Sequence, residues 1–249
     1  MKEKKRKNNL LSVLIVVMAY SVLRLVTKSP SIPTLSSILE SSKEIILSKE
    51  FYINLCYTIK IVTISISISF VTGTLLGISC SMNNILYSLV MPIINSVKNI
   101  PSISLFPLFI VLMGIGDAPR ITIIIWNSIY PIISTTLAGL NSVDKSVVQA
   151  AEVCGATKYQ VYSRIKIPLA TITILEGLKI SIGNGFIAII VAEMLGATKG
   201  LGYMILWKAN TFKYSEMYFY ILVVALIGFT INVAIEKLII YVEKEIYYG

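Results

Sequence analysis

The sequence predicts an all-α, polytopic membrane protein with about six transmembrane helices. Three observations carry that expectation. Hydrophobic residues make up 55% of the 249 residues and charged residues only 14%, where a soluble domain carries about 25% charged residues. The mean hydropathy is +0.79, so too few polar side chains exist to cover a water-exposed surface, and much of that surface is expected to face lipid. The apolar residues also come in runs near the roughly 20 residues a helix needs to cross the hydrocarbon, separated by polar, proline or glycine stretches.

The net charge of +9 is unevenly spread, with Lys2, Lys4, Lys5, Arg6 and Lys7 clustered ahead of the first apolar run. A basic cluster in that position marks the cytoplasmic side of a first span and argues against a nucleic-acid arm. The first span is expected at about Asn9–Val26. It is read as retained, because Arg24 and Lys28 follow it and no small-x-small cleavage site is present. Mixed charges and the turn-formers Ser29-Pro30 and Pro33 make Thr27–Tyr57 an outside loop with a short helix.

From Ile61 to Val97 no charge occurs, which is too long for one straight span, so a break is expected near Ser81-Met82-Asn83-Asn84. Span 2 then covers about Thr58–Cys80, with Lys60 reaching back to the interface. Within it, Ile64–Ser69 alternates with a strand-like period of two, but an open strand in lipid leaves its backbone unpaired. The later Gly73-x-x-x-Gly77 also suits helix packing. Leu86–Val97 is short and holds Pro92, so a partial helix and a bend near Lys98–Pro101 are expected before span 3, near Ser102–Ile115. Gly116-Asp117-Ala118-Pro119 reads as a turn. Span 4 is expected at about Ile121–Leu140, interrupted by Pro131, span 5 at about Thr171–Met194 and span 6 at about Met217–Ile240. Six spans return both termini to the cytoplasm. The resulting division is a basic tail, first span and outside loop (1–57), a transmembrane domain (58–243) and a short cytoplasmic tail (244–249). The inside loop Asn141–Pro168 is net positive as the orientation rule requires, yet so is the outside loop Leu195–Glu216, with Lys199, Lys208 and Lys213 against Glu216.

No catalytic constellation emerges. The chain has no histidine, and its three cysteines, Cys56, Cys80 and Cys154, are scattered, so neither a metal site nor a disulfide framework follows. The phosphate-binding pattern G-x-x-x-x-G-K-[S/T] is missing, and the fragments at Gly114–Gly116 and Gly183–Gly185 read as turn or packing glycines. In span 5, Gly177, Ser181 and Gly185 recur every four residues as a face for close helix packing. Glu176 and Lys179, three apart, are placed to pair. Asn184 and Glu193 are candidates for lining a pathway, because polar groups at membrane depth are costly and often functional.

One stretch breaks the apolar pattern. That stretch is Gln149–Pro168: ahead of it Asp144 or Ser142 is placed to cap a helix, and Val147, Ala150, Ala151 and Cys154 share one face. Gly155 stands where a helix ends, Thr157-x-x-Gln160 fits a capping box, and Pro168 ends the pattern or opens the next span. A helix, a glycine turn, a second helix and a proline are expected outside the bilayer, with small residues that allow close approach of another backbone.

That spacing resembles the EAA loop of permease subunits of binding-protein-dependent ABC importers, which reads E-A-A, three residues, G, nine residues, I-x-L-P. Here Gln149-Ala150-Ala151, Gly155 and Ile165-Lys166-Ile167-Pro168 stand in register, with Gln149 for Glu and Ile167 for Leu. The flanking stretches "IPSISLFPLFIVLMGIG" and "GLKISIGNGFIAIIVAEMLGATKGLGYMI" resemble the nitrate/sulfonate/taurine-type branch, and the likeness covers about Phe51 to Glu243. The resemblance implies a MetI-like permease fold whose loop at 141–168 docks on a cytoplasmic ATPase through Gln149, Ala150, Ala151, Gly155, Ile165 and Pro168. It further implies a dimer of ATP-binding subunits, a second permease subunit that is a copy of this chain, an extracytoplasmic solute-binding protein, and a small anionic or zwitterionic solute. ATP would be bound by the partner, with no cofactor on this chain. Without the resemblance, the broken spans also suit a secondary transporter or a membrane anchor for a cytoplasmic complex.

Overall fold

The computed structural model describes residues 31–248 continuously and, before them, 18–22, 24, 26, 27 and 29. Most of the expected first span therefore lies outside the described residues. All regular structure among the described residues is helical.

Helix α1, Leu35–Leu47, is the short helix expected in the outside loop, opened by Thr34, whose hydroxyl accepts from the Ser37 amide at 2.9 Å. Ser48 ends it and caps α2, Lys49–Met82, by accepting from Phe51 N–H at 3.2 Å. That cap starts α2 well before the expected Thr58. The buried face of α2 contains Thr58, Ile61, Ser65, Ser69, Gly73 and Gly77, a helical spacing. The alternating Ile64–Ser69 stretch thus places Ser65 and Ser69 one turn apart, and each hydroxyl donates to the carbonyl four residues back at 2.8 Å. Their polarity is satisfied within the helix, which lets serine sit in an apolar seam.

Asn83 breaks the chain where expected. Helix α3, Asn84–Val97, and α4, Ser102–Met113, are bent from each other by 101°. This corrects the expected span 3: α4 has 12 residues, about 18 Å of helix, and does not cross the hydrocarbon alone. Gly114, at φ +79°, ends it, in the left-handed region that glycine adopts without strain. Among the described residues, four helices are long and apolar enough to span, or five if the bent pair counts as one.

Helix α5, Asp117–Ser142, runs through Pro131, which was expected to interrupt it. Tight packing on both sides holds it. On one side lies α2, where a methyl added at Gly77 would come within 2.8 Å of Thr136 Cβ, and one at Gly73 within 3.0 Å of Ile132 Cγ2. On the other lies the helix carrying Gly177, Ser181 and Gly185. Helices α6 (Lys145–Val153) and α7 (Lys158–Val161), a π-helical turn (Tyr162–Lys166) and α8 (Ile167–Met194) follow. The last three run on as one helical stretch, Lys158–Met194, and Pro168 lies in the first turn of α8, so of its two expected roles it opens the next span rather than ending the pattern. Helix α9, Leu201–Asn210, and α10, Tyr214–Tyr248, complete the chain.

The centre is the trio α2, α5 and α8, filled by Ile61, Ile66, Ile123, Ile124, Phe186 and Ile189, with Phe106 and Phe109 of α4 closing one side. The Gly177–Ser181–Gly185 face packs on α5. Ser181 Oγ donates to Ser128 O at 2.7 Å, and Ser128 Oγ donates to Ser181 O at 3.1 Å. Reciprocal side-chain to backbone bonds of this kind require the two backbones to lie nearly in contact. A side chain at Gly177 would overlap Thr135 Oγ1. Gly177→Leu is therefore expected to cost about 1–3 kcal/mol or more through overpacking, read as a lower melting temperature of the purified protein in detergent. Gly183, with open space around its α-carbon, is the control position on the same helix.

Candidate functional site: an uncovered helix and a buried polar latch

Helices α6 and α7 form a small unit with unusually complete local bonding. Asp144 caps α6 by accepting from Ser146 N–H at 2.8 Å. That bond and the Ser146 hydroxyl hold the Asp144 carboxyl below its ordinary value. The cap's contribution is thus present above the ordinary carboxylate range and is lost as pH falls through the lowered value. At the other end, Gly155 N–H donates to Glu152 O at 2.9 Å and Ala156 N–H to Ala151 O at 3.0 Å. These are the two bonds of a Schellman motif, which needs its central residue in the left-handed region, and Gly155 has φ +86°. Thr157 and Gln160 then form the capping box: Gln160 N–H donates to Thr157 Oγ1 at 3.3 Å, and Thr157 N–H to Gln160 Oε1 at 2.8 Å.

No residue of α6 is buried. Gln149, Ala150 and Gly155 are exposed, Ala151 is half-buried, and Val153 is 88% exposed. The apolar side of this amphipathic helix is therefore left uncovered by its own chain. Ile165 is half-buried in the π turn, and Pro168 is exposed at the start of α8. The structure thus gathers Gln149, Ala150, Ala151 and Gly155 at one protruding corner, with Ile165 and Pro168 at its junction with α8.

At the start of α9 the structure assembles a second polar group that the sequence did not reveal. Glu193 is fully buried. Its carboxylate accepts from the Thr58 hydroxyl at 2.7 Å and from Gly202 N–H at 2.8 Å. Thr58 Oγ1 in turn accepts from Leu201 N–H at 2.9 Å, and Asn54 Oδ1 from Gly200 N–H at 2.7 Å. Three successive amides at the N-terminus of α9 are thereby satisfied by α2 and α8, and a carboxylate at a helix N-terminus also meets the positive end of its dipole. Gly200, at φ +114°, leaves no room for a side chain beside the Glu193 carboxyl.

Beside this latch, Arg120 is 5% exposed. It donates to Gly196 O at 2.6 Å, to Tyr57 OH at 2.9 Å and to Asp117 Oδ1 at 3.3 Å, while the Tyr57 hydroxyl donates to Asp117. Arg120 and Glu193 together pin 196–202 to the helical core. The sequence signal for this was faint: Asn54 and Thr58 one turn apart, and an arginine entering an apolar span.

Other charges are rearranged from the sequence reading. Lys179 pairs with Glu236 of α10 at 3.6 Å rather than with Glu176, because α10 brings a carboxylate across from another helix. Lys208 and Lys213 both meet Glu216, at 2.6 and 3.3 Å, and the 195–216 loop keeps the net positive charge counted from its sequence. Asn184 is exposed at the edge of the packed face of α8, on the side of Ile180 and Ile187.

Comparison with known proteins agrees with this architecture. The family described as binding-protein-dependent transport system inner membrane component matches residues 69–246. The taurine transport system permease protein TauC of Escherichia coli (strain K12) is 30% identical over 67% of this chain and 60% of its own length. SsuC of Bacillus subtilis (strain 168), named for aliphatic sulfonates transport, is 26% identical over 82% of this chain and 74% of its own. The nitrate import permease protein NrtB of Synechocystis sp. (strain ATCC 27184 / PCC 6803 / Kazusa) is 28% identical over 74% and 68%. Among solved structures, an inward-facing MetNI methionine ABC transporter superposes with a TM-score of 0.68 at 20% identity, covering 76% of this chain and 94% of that one. The superposition agrees with the expected MetI-like permease fold, and with the family model covering 69–246 the chain belongs to the family of binding-protein-dependent transport system inner membrane components.

Proposed function

We propose that this ABC importer permease subunit docks α6 and α7 on a dimer of separate ATP-binding subunits and pairs with a second copy of itself. It receives a small anionic or zwitterionic solute from an extracytoplasmic binding protein, with both termini in the cytoplasm. The observation that carries this reading is the uncovered α6, with Gln149, Ala150, Ala151 and Gly155 presented on a rigid Schellman turn. The names of relatives that act on taurine, aliphatic sulfonates and nitrate support the solute class. Closure of the ATPase dimer shifts the permease between two states, and the solute pathway opens outward or inward accordingly. Asn184, on the exposed side of α8, faces that pathway, whereas Glu193 belongs to the buried latch.

The test is a tagged pull-down from native membranes in mild detergent. A co-purifying subunit with a phosphate-binding loop is expected, and Ala151→Glu, which puts a charge into the docked face, is expected to remove it while leaving membrane insertion intact. If no ATPase is found and uptake survives ATP depletion but collapses with the ion gradient, the reading fails in favour of a secondary transporter.

A further inference from the structure

The docking corner is tied to the rest of the chain at a point far from it in sequence. Lys158, the first residue of α7, donates from Nζ to Met82 O at 2.6 Å, on the last residue of α2. Tyr162, one turn on, donates its hydroxyl proton to Ser81 O at 2.7 Å and lies 3.0 Å from Ser81 Oγ. A lysine on the terminal carbonyls of a helix is favoured by both the hydrogen bond and the dipole. Tyr162 is 7% exposed, and its ring sits in an apolar seat with Leu140, Ala170, Ile174, Ile78 and Met82. A polar crevice of about 470 Å³ lies along this contact, lined by residues of 81–85 with Lys158 and Tyr162.

The residue after Met82 is the elbow. Asn83 ends α2 and its side chain caps α3, accepting from Ile85 N–H at 2.9 Å and Leu86 N–H at 3.3 Å. Helix α3 has no buried residue of its own and leads into the 101° bend before α4. Of the membrane-depth elements it is the least embedded in the core, and elements with few buried contacts are the ones that move at low cost.

Pro168 sets the alignment. It has no N–H for the Arg164 carbonyl, and its ring crowds that carbonyl. The helix responds with a π turn in which Ile167 N–H bonds Tyr162 O. One extra residue in a turn rotates everything before it by about 100° relative to an unbroken helix. That rotation swings Lys158 and Tyr162 onto the end of α2.

We propose that Lys158 and Tyr162, aimed by the π turn at Pro168, are a clamp that makes the α2–α3 elbow move as one body with the docking segment, so that motor motion enters the bent pair α3–α4 directly. The clamp rests on the reading of α6 and α7 as the ATPase-docking segment. Both residues are positioning residues: neither touches solute nor ATP.

The test uses the complex with its ATPase subunits in nanodiscs. Spin labels are placed through Lys145→Cys on α6 and Tyr87→Cys on α3, in a chain with Cys56, Cys80 and Cys154 replaced, diluted with unlabelled chains. With the clamp intact, the label-to-label distance is expected to stay narrow and equal in the ATP-free and vanadate-trapped states. In Lys158→Met with Tyr162→Phe it is expected to broaden and to differ between the states while the ATPase still co-purifies. Lys158→Arg, which keeps a donor for Met82 O, is expected to restore the narrow distance. A narrow, unchanged distance in the double variant overturns the clamp, as does a state-dependent distance in the parent chain. Loss of the ATPase in the double variant also overturns it, since the two residues would then serve docking. Absence of the ATPase from the parent complex is a separate result, and it refutes the docking reading itself.

Discussion

Gly155→Leu is expected to express, insert and fold, yet to lose its ATPase subunit on purification and to lose solute uptake. Gly155 is the pivot of the Schellman turn, at φ +86°, where an L side chain costs about 1–2 kcal/mol. Open space surrounds its α-carbon in the protomer, so a leucine clashes with nothing in this chain and the penalty stays local. The added side chain instead projects from the docked corner. Strain in the turn and a blocked approach together predict a drop in docking affinity of at least about tenfold, the equivalent of about 1.4 kcal/mol. Gly155→Asn separates the two causes, because asparagine tolerates the left-handed conformation but still adds bulk. Equal loss of co-purification in both variants assigns the effect to the surface; loss in leucine alone assigns it to the backbone. Full retention of the ATPase by Gly155→Leu refutes the docking role.

Glu193→Ala is expected to be the most damaging single change in the membrane domain. It removes the acceptor for Gly202 N–H and for the Thr58 hydroxyl in a site that is fully buried. Each buried group left unpaired costs about 1–3 kcal/mol, and the emptied space adds a cavity penalty. The consequence should concentrate at 196–202, where Gly200, Leu201 and Gly202 rely on α2 and α8 for their amide partners. Limited proteolysis of the purified protein should show new cleavage in this segment, together with a lower melting temperature. Glu193→Gln keeps one acceptor oxygen and is expected to fall between the two. A Glu193→Ala protein with unchanged stability and a protected segment, but altered transport, would instead make Glu193 a pathway residue.

The break at Asn83, the α6–α7 unit and the long helices could be read from the sequence because each depends on local chemistry. Asn83 and Thr157 cap by bonds within three residues, Gly155 by its own torsion, and the long helices by unbroken apolar runs. The misreadings have equally specific causes. The bend near Lys98–Pro101 was legible from its turn-formers, but Ser102–Ile115 looked like a full span because an apolar run does not show that the helix stops after 12 residues at Gly114. Pro131 looked like a break because sequence shows the missing N–H but not the packing that accommodates it, whereas Pro168 opens α8 as one of its expected roles, through a π turn the sequence did not show. Glu176 looked like the partner of Lys179 because Glu236, 57 residues on, becomes its neighbour only after α8 and α10 pack.

The sequence by itself determined that the chain is helical, apolar enough for a membrane and broken by a helix–glycine–helix stretch spaced like the EAA loop of ABC importer permeases, since transfer energies, capping and spacing act along one strand of chain. Only the tertiary structure decided what the buried polar groups do. Glu193 with Thr58 and Gly202, Arg120 with Tyr57 and Gly196, and Lys158 with Met82 each join residues far apart in sequence. The cost of a polar group at membrane depth is met by whichever partner packing brings within about 3 Å, and that partner has no signature in the linear order of residues.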